Sequence, residues 1–392
     1  MKFRIFRCLL CALALLLLCA CHAPERPDSD AAALQTDAQA ASDDLQTRVQ
    51  ARAAELTALA FAAQRAEGEE ASQQSAQALE DAGLAVLVPY ETYPSYVISD
   101  PEQLNTFWQS VQSGRDASLE LVRMRDESTL SYQALCVQGG APVYTCVRAI
   151  KRPDSSIELS DFESHPVLDW QMTELGNFYY RLFPAGDKHY ADYQLIRSCA
   201  PEKSALSMLE RYVLPVDYYY VNLFLLDWSE PSFAGVSFND LWDRFYAGQS
   251  GRQPDLSAYE QLPGKRWYAI PAADFEAVIL PYFALTPDTL RKLARYDGEE
   301  ACYPWRPVVT NDMERYDYPA IEPYITGYCE QADGTLTLQI SCLSTDIPTD
   351  CLFSHELTVR NLPDGSFQYV SNRITYQTEL GLPNSAPRLS DD

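Results

Sequence analysis

Residues 8–20 run from Cys8 to Ala20 without a charge, and this stretch divides a short basic N-terminus from the long acidic remainder of the chain. It is shorter than the roughly 20 residues a helix needs to cross a bilayer. Lys2, Arg4 and Arg7 stand in front of it, and Pro24, Glu25, Arg26 and Pro27 stop any helix soon after it. A charged start, a short apolar core and a small residue before the cut are the parts of a secretion signal. Residues 1–20 are therefore expected to be a signal peptide, and the mature chain to fold outside the cytoplasm.

The junction reads Leu18-Cys19-Ala20-Cys21, an aliphatic residue, two small ones and a cysteine, and it resembles a bacterial lipobox. That likeness implies a diacylglycerol on the Cys21 sulfur, cleavage just before Cys21 and acylation of the new amine; an ordinary signal cut nearby is the alternative. One acyl chain binds a membrane only marginally, and two or more anchor it stably. The expected location is the outer face of a bacterial cytoplasmic membrane, with the lipid anchor as the membrane partner. Loss of residues 1–20 removes three cations from a chain already at −25. So acidic a surface repels phosphate backbones and other polyanions, so no nucleic-acid partner is expected.

Residues 21–84 differ in composition from the rest. They are rich in Ala, Gln, Asp and Glu, with Phe61 as their one aromatic. His22–Ala41 shows no periodicity. Ser42-Asp43-Asp44 places acids at a helix start, where the macrodipole favours them. Leu45, Val49, Leu56, Leu59 and Ala63 then recur at helical spacing, and a second helical stretch, Glu69–Ala82, ends at Gly83. The expectation is a disordered tether followed by a helical stalk that touches the folded part little. A short dimerising coiled coil is the alternative, although three clean heptads are lacking.

Aromatics make up 12% of the chain, including 25 Tyr, a composition that demands a packed core. In 85–199, Asp100-Pro101-Glu102 marks a helix start and Gly114 its stop. Six alternating segments come next: 118–125, 130–137, 143–150, 167–172, 178–183 and 193–199. The order predicts an antiparallel sheet with one helix on its face. In 200–376 the period becomes helical over 204–214, 237–246, 272–283 and 287–296. Ser237 with Asp240 reads as a capping box with Asp in place of Glu, and Tyr218–Trp228 as a dense buried run. The period then switches to two over 324–330, 335–342, 353–360 and 367–374. Asp333-Gly334 and Asp364-Gly365 fall at hairpin turns. The fold class expected is α+β, with helices packed on a C-terminal four-strand meander in a layout analogous to the cone-shaped folds of the nuclear-transport-factor-like class. Residues 377–392 read as a loose tail.

Chemistry is sparse. His355-Glu356 lacks the second histidine of a zinc helix and lies in a strand pattern, where a histidine paired to a neighbour is expected. Gly248-Gln249-Ser250-Gly251 lacks the spacing of a nucleophile elbow. No Cys-x-x-Cys or phosphate loop occurs, so no catalytic residue, metal or cofactor is assigned. Asp312, Glu314, Tyr316 and Asp317, with Glu322 beyond, form an acidic, aromatic connector that is a weak ligand-contact candidate or a solvated loop. Beyond the signal and Cys21 there are cysteines at 136, 146, 199, 302, 329, 342 and 351. Cys136 and Cys146 flank one hairpin turn, and Cys342 and Cys351 flank one loop; each pair is a candidate disulfide, with buried free thiols as the alternative.

Ser198-Cys199, Cys342, Cys351, the run from His355 to Arg360 and the run from Asp364 to Tyr369 together resemble an uncharacterised family of Gram-positive bacterial lipoproteins that carry a domain of unknown function. The likeness spans about residues 95–376 and implies location without chemistry. Two functions stand as expectations. One is a surface binding or assembly module for a protein or glycan; the other is a hydrolase of wall peptide or glycan with a scattered active site. A cleft holding convergent carboxylates of raised pKa favours the enzyme, and an aromatic-lined groove without such a pair favours binding.

Overall fold

The computed structural model describes residues 29–89, 95–183, 193–308, 318–384 and 386–389. Among these residues it has seven α-helices and mainly antiparallel sheet. Helices α1 (Ser29–Ala63) and α2 (Gly68–Asp81) come first, then β1 (Ala85–Pro89) and β2 (Tyr96–Ile98). After helix α3 (Pro101–Gln112) come β3 (Ala117–Met124), β4 (Thr129–Gln138), β5 (Ala141–Lys151), β6 (Ile157–Met172), β7 (Phe178–Leu182) and β8 (Tyr193–Arg197).

These eight strands close into a barrel in the order β1-β2-β8-β7-β6-β5-β4-β3. The segments expected from β3 to β8 are present, but the open antiparallel sheet is not. β1 and β2 close it through two parallel joints, β1 to β3 and β2 to β8. Helix α3, capped by the Asp100 side chain on the Glu102 amide, lends Leu104 and Phe107 to the barrel core. Phe107 meets Trp170 and Phe178 edge-on at 5.8 and 6.3 Å.

The expected stalk is overturned. Val49, Ala53, Leu56, Ala60 and Phe61 of α1 and Leu79 of α2 are buried with Val86, Val122, Leu130 and Val147 of the barrel strands. Small alanines let the helix approach the sheet closely, and the bulk comes from the strands. Ser75 of α2 donates to the Ala60 carbonyl at 3.0 Å, so the two helices hold each other as well. Arg52 forks onto Glu120 at 3.2 and 2.9 Å, and Tyr132 donates to the same carboxylate at 2.6 Å. The pair α1–α2 is the barrel's outer layer.

The second half is built as its periods predict. It holds α4 (Lys203–Tyr212), β9 (Trp228–Ser229), α5 (Phe238–Ser250), β10 (Glu260–Gln261), β11 (Tyr268–Pro271), α6 (Ala272–Ile279), α7 (Pro287–Leu293) and β12 (Cys302–Trp305). The meander β13 (Ile321–Glu330), β14 (Thr335–Ser344), β15 (Phe353–Asn361) and β16 (Phe367–Gln377) gains β9 as a fifth strand, and β10-β11-β12 form a small sheet of their own. Gly334 and Gly365 take φ of 80° and 86° at the two tight turns, which glycine adopts without steric cost. Ser237 does not make the expected capping box: its hydroxyl donates to the Asp240 carboxylate at 2.7 Å and caps no backbone amide.

Asp240 has another partner. Arg388 is buried and contacts Asp240 at 3.1 Å and Asp243 at 2.8 and 3.0 Å. The tail is therefore fastened to α5 at Arg388 rather than loose. The barrel meets the C-terminal sheet where Tyr179, Leu195 and Leu343 pack together. Asp350 reaches across this seam and accepts from Thr173 Oγ1, the Leu175 amide and Asn177 Nδ2 at 2.5, 2.9 and 2.7 Å.

A buried leucine on α1 separates a structural layer from a spacer. Leu56 is 2% exposed and Leu59 39%. In urea unfolding, Leu56→Ala is expected to cost about 2–5 kcal/mol, and Leu59→Ala to stay within about 0.5 kcal/mol.

Candidate functional site

Among the described residues, a cleft of 720 Å³ opens in the C-terminal half, within the range of about 300–1,000 Å³ common for ligand sites. Six segments form its walls, one of them the stretch with Gln253, Pro254 and Leu256 just after α5. The loop after α4 brings Asp217, Tyr219 and Tyr220, and α5 brings Asp243 and Arg244. Trp305 and Pro307 come from the end of β12, Tyr318 and Ala320 from the entry to β13, and Asp346 from the loop after β14.

The loop geometry is special. Asp217 and Tyr220 have φ of 65° and 63°, a left-handed conformation that costs most residues energy and gathers at functional sites. Surrounding contacts enforce it. The Asp217 carboxylate accepts from the Tyr218 amide at 2.7 Å. Arg244 donates to the Tyr219 carbonyl at 3.0 Å, and the Tyr219 hydroxyl accepts from the Ile321 amide at 2.9 Å. Asp346 accepts from the Ala320 amide at 2.6 Å, and Tyr318 donates to the Gly381 carbonyl at 2.9 Å.

The electrostatics single out one acid. Burial pushes the Asp217 carboxyl above its ordinary range, although the Tyr218 amide and Arg244 oppose the rise. Asp243 faces the same cleft but is held by the Arg388 guanidinium. Burial also lifts the Tyr318 phenol to about 12 and raises the Tyr219 phenol, so both stay protonated at neutral pH. One further polar group stands out. Trp305 is 2% exposed, and its indole nitrogen is buried without a hydrogen-bond partner among the described residues. A buried donor in that state carries a desolvation penalty. Among its described lining residues the cleft has no Ser, Thr, Cys, His or Lys. It can stack, accept and donate.

A second groove of 510 Å³ runs between barrel and sheet, along Tyr324 to Tyr328 of β13 and past Asn177, Arg197 and Cys199. No group of His, Cys, Asp and Glu suited to a metal ion occurs among the described residues.

The residues chosen from sequence fall unevenly. Cys21, Asp312, Glu314, Tyr316 and Asp317 lie outside the described residues; Val308 and Tyr318, the described residues nearest the connector, both line the cleft. The described cysteines are free thiols. Cys136 pairs in register with Val143, and Cys146 with Gln133. Cys136 packs toward the α1–α2 layer and Cys146 toward the barrel core. The sheet thus separates them, and that candidate bond has no geometry to form. Cys342 and Cys351 are brought together, since the Leu352 amide donates to the Cys342 carbonyl at 2.7 Å. Sequence reasoning missed Asp217, Tyr219, Tyr220 and Trp305. Their one local signal was three consecutive tyrosines after an aspartate.

With the geometry in place, comparison with known proteins adds one finding. Residues 35–388 match the profile described as "Family of unknown function (DUF6070)". The chain belongs to that family. Its extent takes in most of α1, all of α2 and the fastened tail, in agreement with their burial. No curated protein matches, and no solved structure matches. This DUF6070 chain therefore has to be read from its own residues.

His355 occupies a core-facing position of β15 in the alternation Phe353, His355, Leu357, Val359. Its Nε2 meets the Tyr218 hydroxyl at 2.7 Å and its Nδ1 meets Asn372 Oδ1 at 2.6 Å. The amide oxygen can only accept, so Nδ1 donates to it and Nε2 accepts from Tyr218. This is the paired strand histidine expected from sequence. Burial lowers its pKa from 6.5 to about 4. The unfolded chain then binds the extra proton, so the stability present above pH 6.5 falls as pH drops toward 4, by about 3 kcal/mol. Urea unfolding between pH 4 and 7 is expected to show this slope in the native protein and a flatter one in His355→Gln.

Proposed function

We propose that this chain is a lipid-anchored binding module on the outer face of the cytoplasmic membrane of a Gram-positive bacterium, with its ligand seated in the cleft. The lipobox-like junction ending at Cys21 supports the location. The single observation that carries binding over hydrolysis is the makeup of the cleft. Four aromatic residues line it, one carboxyl is raised, and the carboxylate on the neighbouring helix is neutralised by Arg388. A wall hydrolase needs a second working group within reach of the first; Asp243 is held in its ion pair with Arg388 and Asp346 is engaged by the Ala320 amide.

Two experiments test the proposal. Cys21→Ala is expected to move the protein from the membrane fraction to the medium, because the acyl chains are its attachment; retention on the membrane through residues 1–20 contradicts the anchor. The purified mature chain is then melted in the presence of defined envelope fragments. A fragment at 100-fold its Kd is expected to add about 2.7 kcal/mol of stability, and Tyr220→Ala to abolish the gain. Turnover of a fragment, followed by chromatography, gives the hydrolase reading instead.

A further inference from the structure

We propose that the cleft takes an uncharged, hydroxyl-rich saccharide. This rests on the binding reading above and names the ligand class of the same site. The aromatic rings are the first argument. Tyr219, Tyr220, Trp305 and Tyr318 reach the cleft from three separate segments. Ring faces carry negative charge density and suit the polarised C–H edges of a pyranose.

The polar groups narrow the class further. Trp305 lines the cleft, and its buried indole N–H lacks an acceptor among the described residues. Asp217 and Asp346 offer only acceptor oxygens when ionised. A ligand that completes both kinds of group must donate and accept. A simple organic cation can answer the carboxylates but cannot accept from Trp305. A polyanion can accept, but it meets three aspartates, one of them paired with Arg388, within a chain of net charge −25. Arg244 donates to the Tyr219 carbonyl and so helps to build the wall. A hydroxyl group both donates and accepts, and a neutral sugar carries several around an apolar ring face.

The test is calorimetric titration of the full mature chain, made soluble by Cys21→Ala, with three probes: a neutral N-acetylglucosamine tetramer, an oligogalacturonate of equal length, and a neutral tetrapeptide. Saturable binding of the neutral sugar is expected, with at least tenfold weaker binding of the anionic one. Trp305→Phe keeps the ring and removes the N–H, and is expected to weaken sugar binding about tenfold. Tyr220→Ala is expected to abolish it. If Trp305→Phe does not fold, Tyr220→Ala decides. No binding of the neutral sugar, equal binding of the anionic one, or sugar binding untouched by Tyr220→Ala overturns the proposal. Binding of the tetrapeptide alone, lost in Tyr220→Ala, overturns the saccharide and leaves the cleft a binding site. Binding of none of the three, with cleavage of a wall fragment, overturns both.

Discussion

One buried carboxylate holds the two halves of this protein in register. Glu322, near the start of β13, is fully buried and paired with Arg197 at the end of β8. Ser95, just before β2, donates to the same oxygen at 2.9 Å. β2 and β8 form one of the two parallel joints that close the barrel, so one side chain fastens that joint and seats the C-terminal sheet against it. A buried ion pair adds little net stability over an apolar replacement, but losing one partner strands the other charge at about 3–5 kcal/mol. Its consequence reaches the cleft. The residues just before Glu322 are Ala320 and Ile321, whose amides bind Asp346 and the Tyr219 hydroxyl. The position of β13 thus sets the cleft wall.

The legible parts of the fold were those whose partners are close in sequence. β13 and β14, and likewise β15 and β16, are joined by short turns with Asp-Gly at the bend, and buried and half-buried residues alternate regularly along β15. What escaped was long-range. β1 is a five-residue strand and β2 a three-residue one, too short for a period to show, and both pair in parallel with distant strands. The α1 stripe looks too thin to be a core face because Ala53 and Ala60 bury little surface themselves. Their value lies in letting the strands come close. Arg388 gives no local sign of burial, since its partners Asp240 and Asp243 lie far back in the chain.

The site was hidden for a related reason. The run from Tyr218 reads as core, and Tyr218 is core, bonded to His355. Tyr219 and Tyr220 are half-buried and face the cleft instead. The divergence comes from the left-handed turns at Asp217 and Tyr220, which break any regular alternation of faces. No side-chain pattern encodes them; they are imposed by Arg244, Ile321 and the carboxylate of Asp217. The signals that sequence does carry strongly, the apolar run 8–20 and the junction at Cys21, bear on the proposed location rather than on what the cleft holds.

Hydrogen exchange of the mature protein with and without a saturating neutral oligosaccharide tests the central claim most directly. The account predicts new protection confined to the backbone around 217–220, 303–307 and 318–320, the three segments that carry the cleft's aromatic wall. Protection confined instead to 324–328, along the groove between barrel and sheet, would contradict it.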